Sequence, residues 1–187
     1  MLFPHFFYFA TLFIFWGCGN ESTDITDTTL WEYSTKNHQA FLDQTSKPLL
    51  ICYQKVLTGF YNHDTLLIKN SAKEFATQID TAIAHLNIAD TVHQQIALPA
   101  LQNIQSELEA LLLESSELEL NKSLQMLSVQ LLNYFGQIGF QQNTIYIFNF
   151  PLENAEAQYW LGWSKTANNP YDNTDKKRYT AVKVLQE

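Results

Sequence analysis

Between residues 48 and 138, apolar side chains return every three or four positions, the spacing of one buried helical stripe rather than the alternation of a strand. Leu49, Tyr53, Val56, Phe60 and Leu67 share a face and predict a first helix over about 48–69, with Pro48 tolerated in its opening turn. Lys69-Asn70-Ser71 interrupts that pattern. Ser71, with Glu74 three residues on, reads as a capping box that opens a second helix striped by Phe75, Ile79, Ile83 and Leu86. Thr91 and Gln94 suggest another box ahead of Ala97, Leu101, Ile104, Leu108 and Leu111. Pro99 falls inside this third helix, where it removes a donor and crowds the preceding turn, so the helix either kinks near Leu98 or begins at Pro99. Ser116 and Glu119 cap a fourth helix carrying Leu120, Leu124, Leu127, Leu131, Phe135 and Ile138, whose end is weakened by Gly136 and Gly139.

Beyond Gly139 the pattern changes. Thr144-Ile145-Tyr146-Ile147-Phe148-Asn149-Phe150 is aromatic and β-branched, a strand that Pro151 is expected to terminate. Residues 179–185 alternate partially and are expected to pair with it, while 155–161 reads as a short helix and Asn168 to Asn173 as turns. The expected fold class is therefore mainly α: an up-down bundle of about four helices with a small C-terminal two-stranded antiparallel β ribbon.

The first 17 residues contain no Asp, Glu, Lys or Arg, and Phe6 to Trp16 is almost wholly apolar, the length of a signal-peptide core rather than of a membrane span. They lead into Phe15-Trp16-Gly17-Cys18, which resembles a bacterial lipobox, with Trp16 bulky where a small residue is usual. Residues 1–17 are accordingly expected to be a lipoprotein signal peptide, Cys18 the lipidated residue, 18–29 a flexible polar tether and 30–187 a single domain. The expected address is the cell envelope, at the outer membrane and facing the periplasm, with the membrane as a partner through the N-terminal lipid. Cys52, the other cysteine, lies in the apolar run Leu49 to Tyr53 and is expected to be a buried, inert thiol.

The motifs Ile145-Tyr146-Ile147, Pro151, Tyr159-Trp160-Leu161 and Asn169-Pro170-Tyr171 resemble a domain of undetermined function found in extracytoplasmic lipoproteins and fused to periplasmic adaptor subunits of heavy-metal RND efflux pumps. The similarity extends more loosely to Leu57–Ile68 and Lys122–Leu131, so that it spans about 48–187. It implies structural roles for Pro151, Trp160, Asn169, Pro170 and Tyr171, and an envelope or efflux-component protein as partner. The family carries Cys-Pro-Met where this chain has Phe150-Pro151-Leu152, and a later Cys near Thr180-Ala181-Val182. Phe150, Leu152 and Ala181 thus stand at degenerate ligand positions; apolar side chains there cannot coordinate a soft cation such as copper(I).

Other constellations point to no chemistry of their own. His63, Asp64, His85 and His93 could form a composite metal site only in an unusual helix arrangement, because successive connections of an up-down bundle lie at opposite ends. Glu107, Glu109, Glu114, Glu117 and Glu119 crowd the junction before the fourth helix, where Glu117 and Glu119 favour the helix dipole. A net charge of −8 and the lack of a basic stripe exclude nucleic acid as a partner, and no phosphate-cradling or nucleophile-elbow motif implies a cofactor or a catalytic residue. The expectation is a non-enzymatic binding or interaction module without a bound metal. A periplasmic protein that binds copper or another heavy metal in support of cation efflux is the competing reading.

Overall fold

A computed structural model describes residues 40–86, 91–141, 143–152, 155–172, 174 and 179–185. Four helices, α1 (Ala40–Tyr61), α2 (Thr65–Leu86), α3 (Thr91–Leu113) and α4 (Glu117–Ile138), precede five strands, β1 (Ile145–Leu152), β2 (Ala155–Gly162), β3 (Thr166–Ala167), β4 (Tyr179–Thr180) and β5 (Lys183–Leu185). The fold is the mainly α bundle with a small C-terminal β element that the apolar periodicity predicts.

Each helix buries the stripe that its spacing sets apart. Leu42, Leu49, Tyr53, Val56 and Phe60 of α1 meet Phe75, Ile79 and Leu86 of α2, Ala97, Leu101, Ile104, Leu108 and Leu111 of α3, and Leu120 to Ile138 of α4 in one core. α1 packs on α2, α2 on α3 and α3 on α4. Two buried hydroxyl pairs close the ring between α1 and α4: Tyr134 with Ser46 and Tyr53 with Ser128, each 2.7 Å apart. The later α1 residue meets the earlier α4 residue, so these helices run antiparallel, as an up-down bundle requires.

The helix boundaries correct the sequence expectation at several points. α1 begins at Ala40 and ends at Tyr61, not near residue 69, and Leu67 belongs to α2. The stop is a tight turn in which the His63 N–H donates to Phe60 O (3.0 Å) and the Asp64 N–H to Gly59 O (2.9 Å), with His63 left-handed at φ 50°. This is the C-terminal wrap usually built on glycine, and the histidine side chain hides it in the sequence. Asp64 then caps α2 by accepting the Leu67 N–H at 2.9 Å. Ser71 is no cap; it is buried within α2. α1 and α2 approach so closely at Gly59 that a Cβ there would lie 2.8 Å from Ile68 Cγ1, so the crossing requires glycine. α3 starts at Thr91 and runs on through Pro99, just as α1 runs through Pro48. Each proline deprives the carbonyl four residues back, at Gln44 or Gln95, and both are exposed positions where water can replace the lost donor. At α4 the expected Ser116 cap forms, its Oγ accepting the Glu119 N–H at 3.3 Å, and Gly139 ends the helix at φ 63°.

The β element is larger than a two-stranded ribbon. β1 is the centre of a three-stranded antiparallel sheet, ordered β2-β1-β5, and β3 pairs with β4 in a separate two-stranded sheet. Residues 155–161, read as a short helix, form β2 instead, with Ile147 opposite Leu161 and Phe148 opposite Trp160. The residues 179–185 read as one closing strand are divided between β4 and β5, and β5 pairs with β1 antiparallel. Pro151 does not end β1 but sits within it, where the register shifts between Phe150 and Leu152. Such an irregularity is where a strand tolerates a residue lacking an N–H.

Candidate functional site

β2 is an edge strand, and its outward-facing backbone groups would be open to water or to another chain if nothing covered them. Side chains from the bundle cover them. Gln125 of α4 donates from Nε2 to Ala157 O (3.3 Å) and accepts the Tyr159 N–H on Oε1, pairing with the strand as a neighbouring backbone would. Tyr53 accepts the Leu161 N–H (3.2 Å), and Gln54 Nε2 donates to Leu161 O (3.1 Å). Tyr171 donates to Tyr159 O at 2.7 Å. The sheet is thus fixed to α1 and α4 along one edge by hydrogen bonds that specify both position and register.

Tyr53 lies at the centre of this attachment. Ser128 Oγ donates to Leu124 O (2.7 Å), which leaves it to accept from Tyr53 and leaves Tyr53 to accept from Leu161. One directed chain of hydrogen bonds therefore links β2, α1 and α4. Ser46 does the same lower in the bundle, donating to Leu42 O at 2.5 Å and accepting from Tyr134. Burial holds the Tyr53 and Tyr171 hydroxyls well above the ordinary tyrosine range. It also pushes Tyr134 up to about 12, against the lowering effect of its hydrogen bond with Ser46 and assisted by the Asp43 carboxylate.

An alkaline limit follows. A tyrosine whose folded pKa is raised contributes its full stability below the unfolded value, about 10, and loses it as pH climbs through the folded value. Stability is expected to be insensitive to these groups up to about pH 10 and to fall between there and about 12, with tyrosinate absorbance appearing together with the loss of far-ultraviolet circular dichroism. Ionisation of every tyrosine near pH 10 in a chain that stays helical would contradict the burial of these hydroxyls.

The attached sheet leaves a cleft of about 440 Å³ beside α1. One wall is the α1 face of Gln54, Leu57, Thr58 and Tyr61; the other is Trp160 to Gly162 of β2 with Trp163 and Ser164 of the following turn; Thr166, Ala167, Asn168 and Pro170 complete it. Among the described residues no carboxylate, amine, guanidinium, imidazole or thiol lines it. Trp163 is 39 % exposed, whereas Trp160 is buried and carries an Nε1–H with no hydrogen-bond partner. Compared with protein-family models, curated proteins and solved structures, the chain matches none.

The residues singled out in the sequence are placed as follows. Trp160, Asn169, Pro170 and Tyr171 converge beside the sheet: Trp160 stacks on Phe148 (ring centres 5.2 Å apart) and meets Tyr171 and Tyr179 edge-on, while Asn169 Oδ1 accepts the Tyr171 N–H at 3.0 Å. Phe150 meets Tyr179 edge-on at 5.8 Å, and the Ala181 N–H donates to Lys165 O at 3.0 Å. Leu152 lies opposite Ala155 in the sheet. Cys18, with the leader and tether, lies outside the described residues. Cys52 is buried and free, its thiol pushed up by burial first and by Glu74 second, opposed by Lys55, the wrong direction for a nucleophile.

His63 and His85 stand at opposite ends of α2, roughly 30 Å apart at 1.5 Å per residue, so the composite site of His63, Asp64, His85 and His93 does not assemble as a whole; the His93 side chain lies outside what the structure describes. Among the described residues no group of three His, Cys, Asp or Glu side chains is placed to hold a metal ion. The glutamates disperse: Glu117 faces His63 at 3.5 Å, Glu119 pairs with Lys122 at 2.9 Å, and Glu107 is raised by burial alone. The cleft is the feature that sequence reading missed. Its walls come from segments a hundred residues apart, and none of its residue types marks a site.

Proposed function

We propose that this chain is a non-enzymatic binding module, held at the cell envelope by a lipid on Cys18, with the cleft between α1 and the β2–β3 turn as its binding site. The observation that carries the reading is the chemistry of that cleft: side chains able to hydrogen bond and stack line it, and among the described residues no carboxylate, amine, guanidinium, imidazole or thiol joins them. Such a lining suits recognition and offers nothing for general acid–base or nucleophilic chemistry. The leader and the lipobox-like Phe15 to Cys18 support the address. The likeness of Pro151, Trp160 and Asn169-Pro170-Tyr171 to the efflux-associated domain supports descent from it, with Phe150, Leu152 and Ala181 standing where relatives carry soft ligands.

The anchor and the site are tested separately. A Cys18→Ser chain is expected in the soluble fraction, while the unaltered chain takes up labelled palmitate and fractionates with membranes. A Cys18→Ser chain that still sediments with membranes, beside an unaltered chain that stays unlabelled, would refute the lipid anchor. For the site, a photo-crosslinking residue at position 164 in the full chain, irradiated in the cells that make it, is expected to give a discrete adduct that disappears with Trp163→Ala. An unadducted chain, or adducts indifferent to Trp163, would refute the cleft as the binding surface.

A further inference from the structure

Resting on the reading of the cleft as a binding site, we infer that its ligand is a neutral saccharide. The lining discriminates by what it lacks. A phosphate or carboxylate is held by charge-assisted bonds from Arg, Lys or a helix N-terminus, and a cation by carboxylates; among the described residues none of those side chains lines the cleft. An extended peptide would add to a sheet edge, but the edge of β2 beside the cleft is already occupied by Tyr53, Gln54 and Gln125. An acyl chain would suit Leu57, Leu161 and Ala167 but would leave the polar groups of Thr58, Ser164 and Asn168, exposed in the same lining, facing hydrocarbon without partners.

What remains is a molecule with an apolar C–H face and a rim of uncharged hydroxyls. Trp163, two-fifths exposed at the cleft, offers an aromatic surface for the C–H face, with Tyr61 on the facing helix. Thr58 already donates its hydroxyl proton to Gln54 O at 2.9 Å, which leaves its oxygen as an acceptor, and Ser164 and Asn168 supply both donor and acceptor. A volume of about 440 Å³ is that of a small-molecule site rather than of a protein interface.

The test is a titration of the full chain in detergent with maltotriose, xylotriose and chitotriose, followed by tryptophan fluorescence and by calorimetry. At least one is expected to bind saturably below about 10 mM, with affinity falling about tenfold or more in Trp163→Ala and several-fold in Thr58→Val, both variants keeping the parent melting temperature. Absence of saturable binding by all three, or binding unchanged in Trp163→Ala, would overturn the inference. If the saccharides fail while the position-164 crosslinker captures a protein in a Trp163-dependent manner, the ligand class is wrong and the cleft reading stands. If both fail, both fall.

Discussion

Replacing Trp160 with alanine is expected to lower stability by about 3–5 kcal/mol, the range for removing a large aromatic from a packed interior. Trp160 is 1 % exposed, stacks on Phe148 and takes the edges of Tyr171 and Tyr179, at 6.2 and 5.6 Å between ring centres. It therefore joins the three-stranded sheet to the β3–β4 pair and to the Asn169-Pro170-Tyr171 turn. In a chain of this length the loss corresponds to a melting temperature lower by roughly 6–20 °C. Trp160→Phe is expected to cost clearly less, because Nε1 makes no hydrogen bond that the substitution could break. Urea unfolding followed by circular dichroism measures both; a Trp160→Ala chain within about 1 kcal/mol of the parent would show that this aromatic cluster does not hold the sheet.

The second large effect is expected at Gln125. Gln125→Met keeps the length and flexibility of the side chain but removes the amide that covers Ala157 O and Tyr159 N. Two partly buried backbone groups lose their partners, at about 1–3 kcal/mol for each unsatisfied group, so a loss of about 2–6 kcal/mol is expected. Gln78, on α2, offers a control: its side chain is likewise half-buried, and Gln78→Met removes an amide that covers no strand edge. Equal effects of the two substitutions on urea unfolding would mean that the strand-like pairing of Gln125 contributes nothing.

These expectations concern the C-terminal third, which is also where the sequence was least legible. The helical stripes were read correctly because packing selects for them directly: Ala97, Leu101, Ile104, Leu108 and Leu111 are spaced as one face and are buried as one face. The Ser116 cap was read for the same reason, since a local rule governs it. The α1–α2 turn was not, because His63 occupies a left-handed position that a glycine would have advertised, and the polar run Lys69-Asn70-Ser71 imitated a break inside a continuous helix. β2 was misread because Ala155-Glu156-Ala157-Gln158 favours a helix locally, while its pairing with β1 and the side chains along its other edge decide the outcome. The cleft was illegible for a deeper reason. Uncharged residues at ordinary spacing leave no trace until the chain folds and brings Thr58 and Tyr61 opposite Trp163 and Ser164.

The fixed attachment of β2 to α1 and α4 underlies both the fold of this region and the shape of the cleft, and amide hydrogen exchange tests it most directly. The Tyr159 and Leu161 N–H groups point away from β1 and would exchange rapidly in an uncovered edge strand, whereas their bonds to Gln125 and Tyr53 should slow them to the rate of the Trp160 N–H within the same strand. Fast exchange at residues 159 and 161 beside a protected Trp160 would mean that the edge is open and the sheet is not fixed to the bundle.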